Sequence, residues 1–152
     1  MEGIRHFLAH AIRLEAESAR RFDELAEHLD TLGNAEVSAF FRQMADYARL
    51  HLNEALARSG FRHVSELPAE GYDWPDGESP EAASWWGVDG LMDVPAAMEL
   101  ALESEQRGLA FYATIATTTR DPRVQAMAEE FAVEEAEHVA EIQRRMGRSP
   151  AR

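Results

Sequence analysis

Cysteine is absent from this sequence, and that single absence removes several kinds of chemistry. Disulfides, thiolate zinc sites, cysteine-ligated iron–sulfur centres and a cysteine nucleophile are all excluded. Long apolar runs are missing too, since no window approaches the roughly 20 apolar residues of a membrane span. The opening stretch MEGIRHFLAHAIRLEAESARRF carries acids and helical spacing, without the apolar run and cleavage site of a signal peptide. A cytoplasmic location is therefore the expectation. Positive charge is scarce: 15 Lys and Arg stand against 28 Asp and Glu, for a formal net charge of −13. Such a chain repels nucleic acid and anionic membranes at long range, so neither is an expected partner. Proline and glycine are few, at 6 and 9, which argues against disorder. There is no glycine-rich phosphate loop, no basic stripe, and no Ser–His–Asp arrangement that spacing can support.

What is present is helical periodicity. With 152 residues, 45% of them hydrophobic, the chain has the length of one domain with a single sizeable core. In the first segment Leu8, Ile12, Glu15, Ala19, Phe22, Ala26 and Leu29 recur every three or four residues, up to Gly33-Asn34. The second places Val37, Phe41, Met44, Ala48, His51 and Ala55 on one face and stops at Gly60. Asp93 with Pro95 opens the third, whose face reads Met98, Ala101, Glu105, Gly108 or Leu109, Tyr112 and Ile115. Asp121-Pro122 opens the fourth, with Ala128, Phe131, Glu135, His138 and Ile142. The predicted helices span about residues 3–32, 35–59, 94–118 and 121–146 of one domain, 1–152. Short links make each pair an antiparallel hairpin. A Pro- and Gly-containing stretch, residues 60–93, is long enough to run the length of the bundle. Trp74, Trp85 and Trp86 in it read as anchors against the helices, or as an aromatic ligand patch. Helical hairpins joined by one long crossover predict an all-α, ferritin-like four-helix bundle.

The hairpins also look like copies of each other. Glu15 and Phe22 match Glu105 and Tyr112, while Phe41, Met44, Ala48 and His51 match Ala128, Phe131, Glu135 and His138. Equivalent side chains then meet at one level of the bundle. That level carries the chemistry. Glu15, His51, Glu105, Glu135 and His138 fall on apolar stripes, where a charge is costly unless paired or bound to a metal. Glu135 and His138, three residues apart, point the same way. Oxygen and imidazole ligands without sulfur suit iron or manganese and accept zinc. Singly each signal is weak, because a lone histidine is more often a hydrogen-bonded core residue and Glu-x-x-His is common in acidic helices. The repeated inward pattern is what carries weight. His6, His10, His28 and His63 have no counterparts in the repeat and read as surface or core-edge residues.

Residues 14–26, LEAESARRFDELA, residues 103–112, ESEQRGLAFY, and residues 131–138, FAVEEAEH, resemble the rubrerythrin-like branch of the ferritin-like superfamily. The likeness extends over nearly all of residues 5–146 and stops short of that family's cysteine-bearing rubredoxin-like module. The family's di-iron pattern is one Glu from each of two helices and a Glu-x-x-His from each of the other two. The resemblance therefore implies metal ligands at Glu15, His51, Glu105, Glu135 and His138. It also implies an oxidoreductase, a peroxidase or ferroxidase that needs an external electron donor. Tyr112 is either a hydrogen-bond partner of a ligand carboxylate or a plain core tyrosine.

One position departs from the pattern. Three residues before His51 the family has a bridging glutamate, and this sequence has Ala48. Glu54, one turn beyond His51, substitutes only if its side chain reaches back. Four carboxylates neutralise two divalent ions, whereas three leave one positive charge over, so iron is expected at two or one per chain, a single ion being held mainly by Glu105, Glu135 and His138. Non-redox metal binding, or a degenerate bundle kept as an interaction module, are the competing readings. A homodimer through a bundle face is the expected assembly.

Overall fold

The structure, a computed structural model, describes residues 3–61, 67 and 93–147. It consists of four helices, α1 (Ile4–Thr31), α2 (Ala35–Ser59), α3 (Val94–Thr118) and α4 (Pro122–Gly147), with no strand among the described residues. Local chemistry explains each boundary. Gly33 takes the left-handed φ of +81° that ends α1, and Asn34 then accepts from the Val37 amide at 3.0 Å to start α2. Gly60, at φ +86°, ends α2. The Asp93 side chain accepts from the Ala96 amide at 2.9 Å, with Pro95 in the first turn. Asp121 does the same for the Arg123 amide at 2.9 Å.

Two apolar clusters hold the bundle together. One joins Phe7, Leu8 and Ile12 of α1 and Ala55 of α2 to Phe111 and Ile115 of α3 and Val124 and Phe131 of α4. The other joins Phe22, Leu25 and Leu29 to Phe40, Phe41 and Met44, Met98, Ala101 and Ile142. The start of α1 thus lies with the ends of α2 and α3 and the start of α4, so α2 and α3 run parallel. A connection between parallel helices has to return along the full length of the bundle, which is the ferritin-like topology. Apart from Leu67, buried in the first cluster, the crossover lies outside the described residues, and Trp74, Trp85, Trp86 and His63 with it. No described helix is long and apolar enough to cross a membrane.

The seam between α2 and α4 is polar. Arg145 meets Glu36 at 3.1 Å near one end, and Arg58 meets Glu130 at 2.9 Å near the other. Exposed pairs of this kind contribute about 0–1 kcal/mol each, so they set register more than stability. His10 corrects an expectation. It is fully buried, with its Nδ1 2.9 Å from the His6 carbonyl and its ring stacked on Phe111. The cause is the wide buried arc of α1 there, where every residue from Phe7 to Ile12 is inside.

Candidate metal centre

Between the two apolar clusters lies a polar layer. Glu135, Glu105 and Glu15 are only 1%, 2% and 3% exposed, and His138 is buried beside them. His51 sits at the α2–α4 seam with 16% of its side chain exposed. Burying a charge costs several kcal/mol even after relaxation, against about 1.5–3 kcal/mol gained per large apolar side chain. The flanking clusters are large enough to carry that cost.

All five residues singled out from the sequence as candidate ligands meet in this layer. His138 Nδ1 is 3.8 Å from Glu105 Oε1 and 3.8 Å from Glu135 Oε2. His51 Nδ1 is 3.9 Å from Glu15 Oε1, which accepts a hydrogen bond from the Tyr112 hydroxyl at 3.3 Å. One ligand atom each from His51, Glu135 and His138 lie within 4.8 Å of one another. The imidazoles stack, with centroids 5.1 Å apart and planes at 13°. Tyr47 stacks on the other side of His138 at 5.6 Å and 12°. Ala48 is buried one turn before His51 on α2 and offers no carboxylate. Glu54 does not take its place: its carboxylate is held by Arg58 at 2.7 Å, in a group with Glu130 and Glu134.

The electrostatics of the layer suit a cation. Burial, and then the neighbouring Glu135 carboxyl, push the Glu105 carboxyl well above its ordinary range, because nothing nearby in the metal-free protein balances a second negative charge. Burial and the nearby His138 lower His51 to about 4, which leaves its ring neutral and able to donate a lone pair at neutral pH. His51 Nδ1, His138 Nδ1 and Glu105 Oε2 are buried without a hydrogen-bond partner. Each such orphan costs about 1–3 kcal/mol. A divalent cation among them removes the cost, and the sulfur-free donor set suits iron, manganese or zinc. The residues fit a metal.

Glu134 was not singled out from sequence. Its Oε2 lies 3.3 Å from His51 Nε2, outside hydrogen-bond alignment. Burial, with Glu54 and Glu130 nearby, raises this carboxyl to about 7. A carboxyl this close to one ring nitrogen attracts an N–H placed there, which favours the tautomer whose other nitrogen carries the free lone pair. Glu134→Gln is therefore expected to weaken metal binding about ten- to a hundredfold while the helical content is kept. Calorimetric titration with Zn(II) and circular dichroism check both parts. The only signal in the sequence was the acid run Glu134-Glu135 one turn before His138.

Antiparallel hairpins whose middle helices run parallel, with a buried carboxylate–imidazole layer between two apolar clusters, define a ferritin-like four-helix bundle with a candidate metal centre. Residues 6–61 match the rubrerythrin family. The crystal structure, at 2.00 Å resolution, of an uncharacterized conserved protein from Magnetospirillum magnetotacticum MS-1 is similar, with a TM-score of 0.79 and 34% sequence identity. The likeness covers 98% of this chain and 97% of that one. None of the curated proteins matches. The chain belongs to the rubrerythrin family.

Proposed function

We propose that this protein binds divalent iron in the layer formed by Glu15, His51, Glu105, Glu135 and His138, and is an oxidoreductase acting on peroxide or dioxygen. The observation that supports the reading most directly is the set of orphaned donor atoms on His51, His138 and Glu105, buried between two apolar clusters. Bound iron supplies the one-electron chemistry, and an external donor returns the electrons, since the chain has no cysteine for an iron–sulfur relay. The protein's own residues have three tasks. Glu105, Glu135 and the two imidazoles hold the cation, Tyr112 fixes the Glu15 carboxylate by its hydrogen bond, and the clusters exclude bulk water. The buried Ala48 favours a second reading, metal holding without redox turnover, because a carboxylate that would steady a higher oxidation state is missing.

Metal analysis of protein purified without chelator, followed by Fe(II) addition under anaerobic conditions and then peroxide, tests both readings. Iron binding with peroxide consumption supports the first, and iron binding without it supports the second. Absence of any bound metal overturns both.

The pH dependence gives a further expected result. Between the ordinary carboxyl value near 4.5 and about 7, native Glu134 keeps a proton that the unfolded chain has released. Glu105, also raised, acts in the same direction. Both therefore stabilise the metal-free fold at low pH and lose that contribution as pH rises. His51 has the opposite sign: its contribution is complete above 6.5 and is lost as pH falls toward 4. A bound cation needs the carboxylates ionised, so its affinity climbs with pH. The rise in melting temperature on adding Zn(II) is expected to be larger at pH 7.5 than at pH 5.5. An equal rise at both values contradicts the coupling.

A further inference from the structure

The way the two histidines are placed says something about the number of ions. A pair of metal ions in a four-helix bundle is ordinarily served by one histidine on each ion, from separate Glu-x-x-His turns. Here the imidazoles of His51 and His138 stack with nearly parallel planes and ring centroids 5.1 Å apart. Ligand atoms of both, with one from Glu135, fall within 4.8 Å of one another. Cis ligands of one ion at metal–ligand distances of about 2.0–2.2 Å stand roughly 3 Å apart, so small side-chain movements bring these three onto a common centre. The stack is supported from outside by Tyr47, whose ring lies against His138 and whose hydroxyl accepts from Gln43 at 2.7 Å.

The charges agree with that geometry. Two divalent ions about 3.5–4 Å apart repel strongly unless carboxylates bridge them. The helix turn that would supply a bridge from α2 carries the buried Ala48, and Glu54 is tied to Arg58. Glu105 and Glu135 together neutralise one divalent ion. Glu15 accepts from the Tyr112 hydroxyl and lies nearest His51. Two imidazoles and a carboxylate with further positions open is an arrangement that holds iron(II) singly.

We propose that the layer holds one divalent cation per chain, with His51 and His138 both bound to it beside Glu135 and with Glu105 completing the charge. This rests on the metal-binding reading above and changes its stoichiometry and ligand sharing. The removal of a carboxylate at position 48 is what leaves a single centre.

The test uses the full chain, stripped of metal and titrated with Co(II), with absorbance and bound cobalt measured together. One Co(II) per chain is expected. His51→Gln and His138→Gln should each weaken that ion at least tenfold and alter its visible band, with circular dichroism confirming the fold. If either variant fails to fold, proton NMR of the wild type at one equivalent of Co(II) decides, because both imidazoles should give paramagnetically shifted signals. Ala48→Glu should raise the count to two. Two ions in the wild type, a His51→Gln variant with unchanged affinity and spectrum, or only one shifted imidazole overturns the shared ion. A count of one in Ala48→Glu overturns Ala48 as its cause. No bound Co(II) in the wild type removes the metal-binding reading itself, and this proposal with it.

Discussion

Glu135→Gln is expected to lower the affinity of the protein for Zn(II) or Fe(II) by more than about a hundredfold and, at the same time, to raise the melting temperature of the metal-free form. The two effects have one origin. Glu135 is among the least exposed carboxyls of the described residues and lies against Glu105, whose ionisation burial and Glu135 both oppose. Two carboxyls in one dry site cannot both ionise without a counter-charge. In the metal-free protein an isosteric amide removes that conflict and donates a hydrogen bond to Glu105, so the fold gains a few degrees. In the metal-bound protein the same change deletes a central anionic ligand. Losing a group that merely orients a ligand costs about ten- to a hundredfold, and losing the ligand itself should cost more. Calorimetric titration gives the affinity, and differential scanning fluorimetry of chelator-treated protein gives the melting temperature. If the variant binds metal like the wild type, Glu135 is outside the centre. If it binds weakly but melts lower, the pair was not in conflict.

This opposition between stability and binding explains how far the sequence could be read. The starts of α3 and α4 were legible because Asp93 and Asp121 are capping residues that act within three positions along the chain. The buried face was legible because Glu15, Glu105, Glu135 and His138 interrupt a period that is otherwise apolar, at matching places in the two hairpins. The structure brings these residues and His51 into one layer, as their matching places in the two hairpins suggested. Two features were not legible. The contact of Glu134 with His51 and the stacking of Tyr47 on His138 depend on how α2 and α4 lie across each other, which no spacing within one helix encodes. His10 was read as an edge residue because it lies off the stripe through Leu8 and Ile12. The stripe is the wrong measure where a helix is covered on most sides, as α1 is between Phe7 and Ile12.

Phe131→Ala is expected to destabilise the fold by about 3–5 kcal/mol, the usual cost of truncating a large aromatic side chain in a core. For a chain of this length that corresponds to a fall in melting temperature of roughly 10 °C. Phe131 is 3% exposed and lies against Phe7 at 5.8 Å and Tyr112 at 5.4 Å between ring centroids. It sits one turn before Glu135 on α4, so it forms part of the floor of the polar layer. The consequences should therefore pass upward. Tyr112 is braced by Phe7 and Phe131 from below, and its hydroxyl positions Glu15. A cavity in place of Phe131 admits movement of Tyr112 and access of water to a site that needs neither. Phe131→Leu keeps most of the volume and serves as the control, with a loss of less than about 1.5 kcal/mol if the core repacks. Comparing the two by urea unfolding with and without Zn(II) separates packing from chemistry. Phe131→Ala should lose stability in both conditions and also lose part of the metal-induced gain, whereas Phe131→Leu should keep that gain. Equal metal-induced gains in wild type and Phe131→Ala would show that the aromatic floor supports the fold alone and leaves the centre untouched.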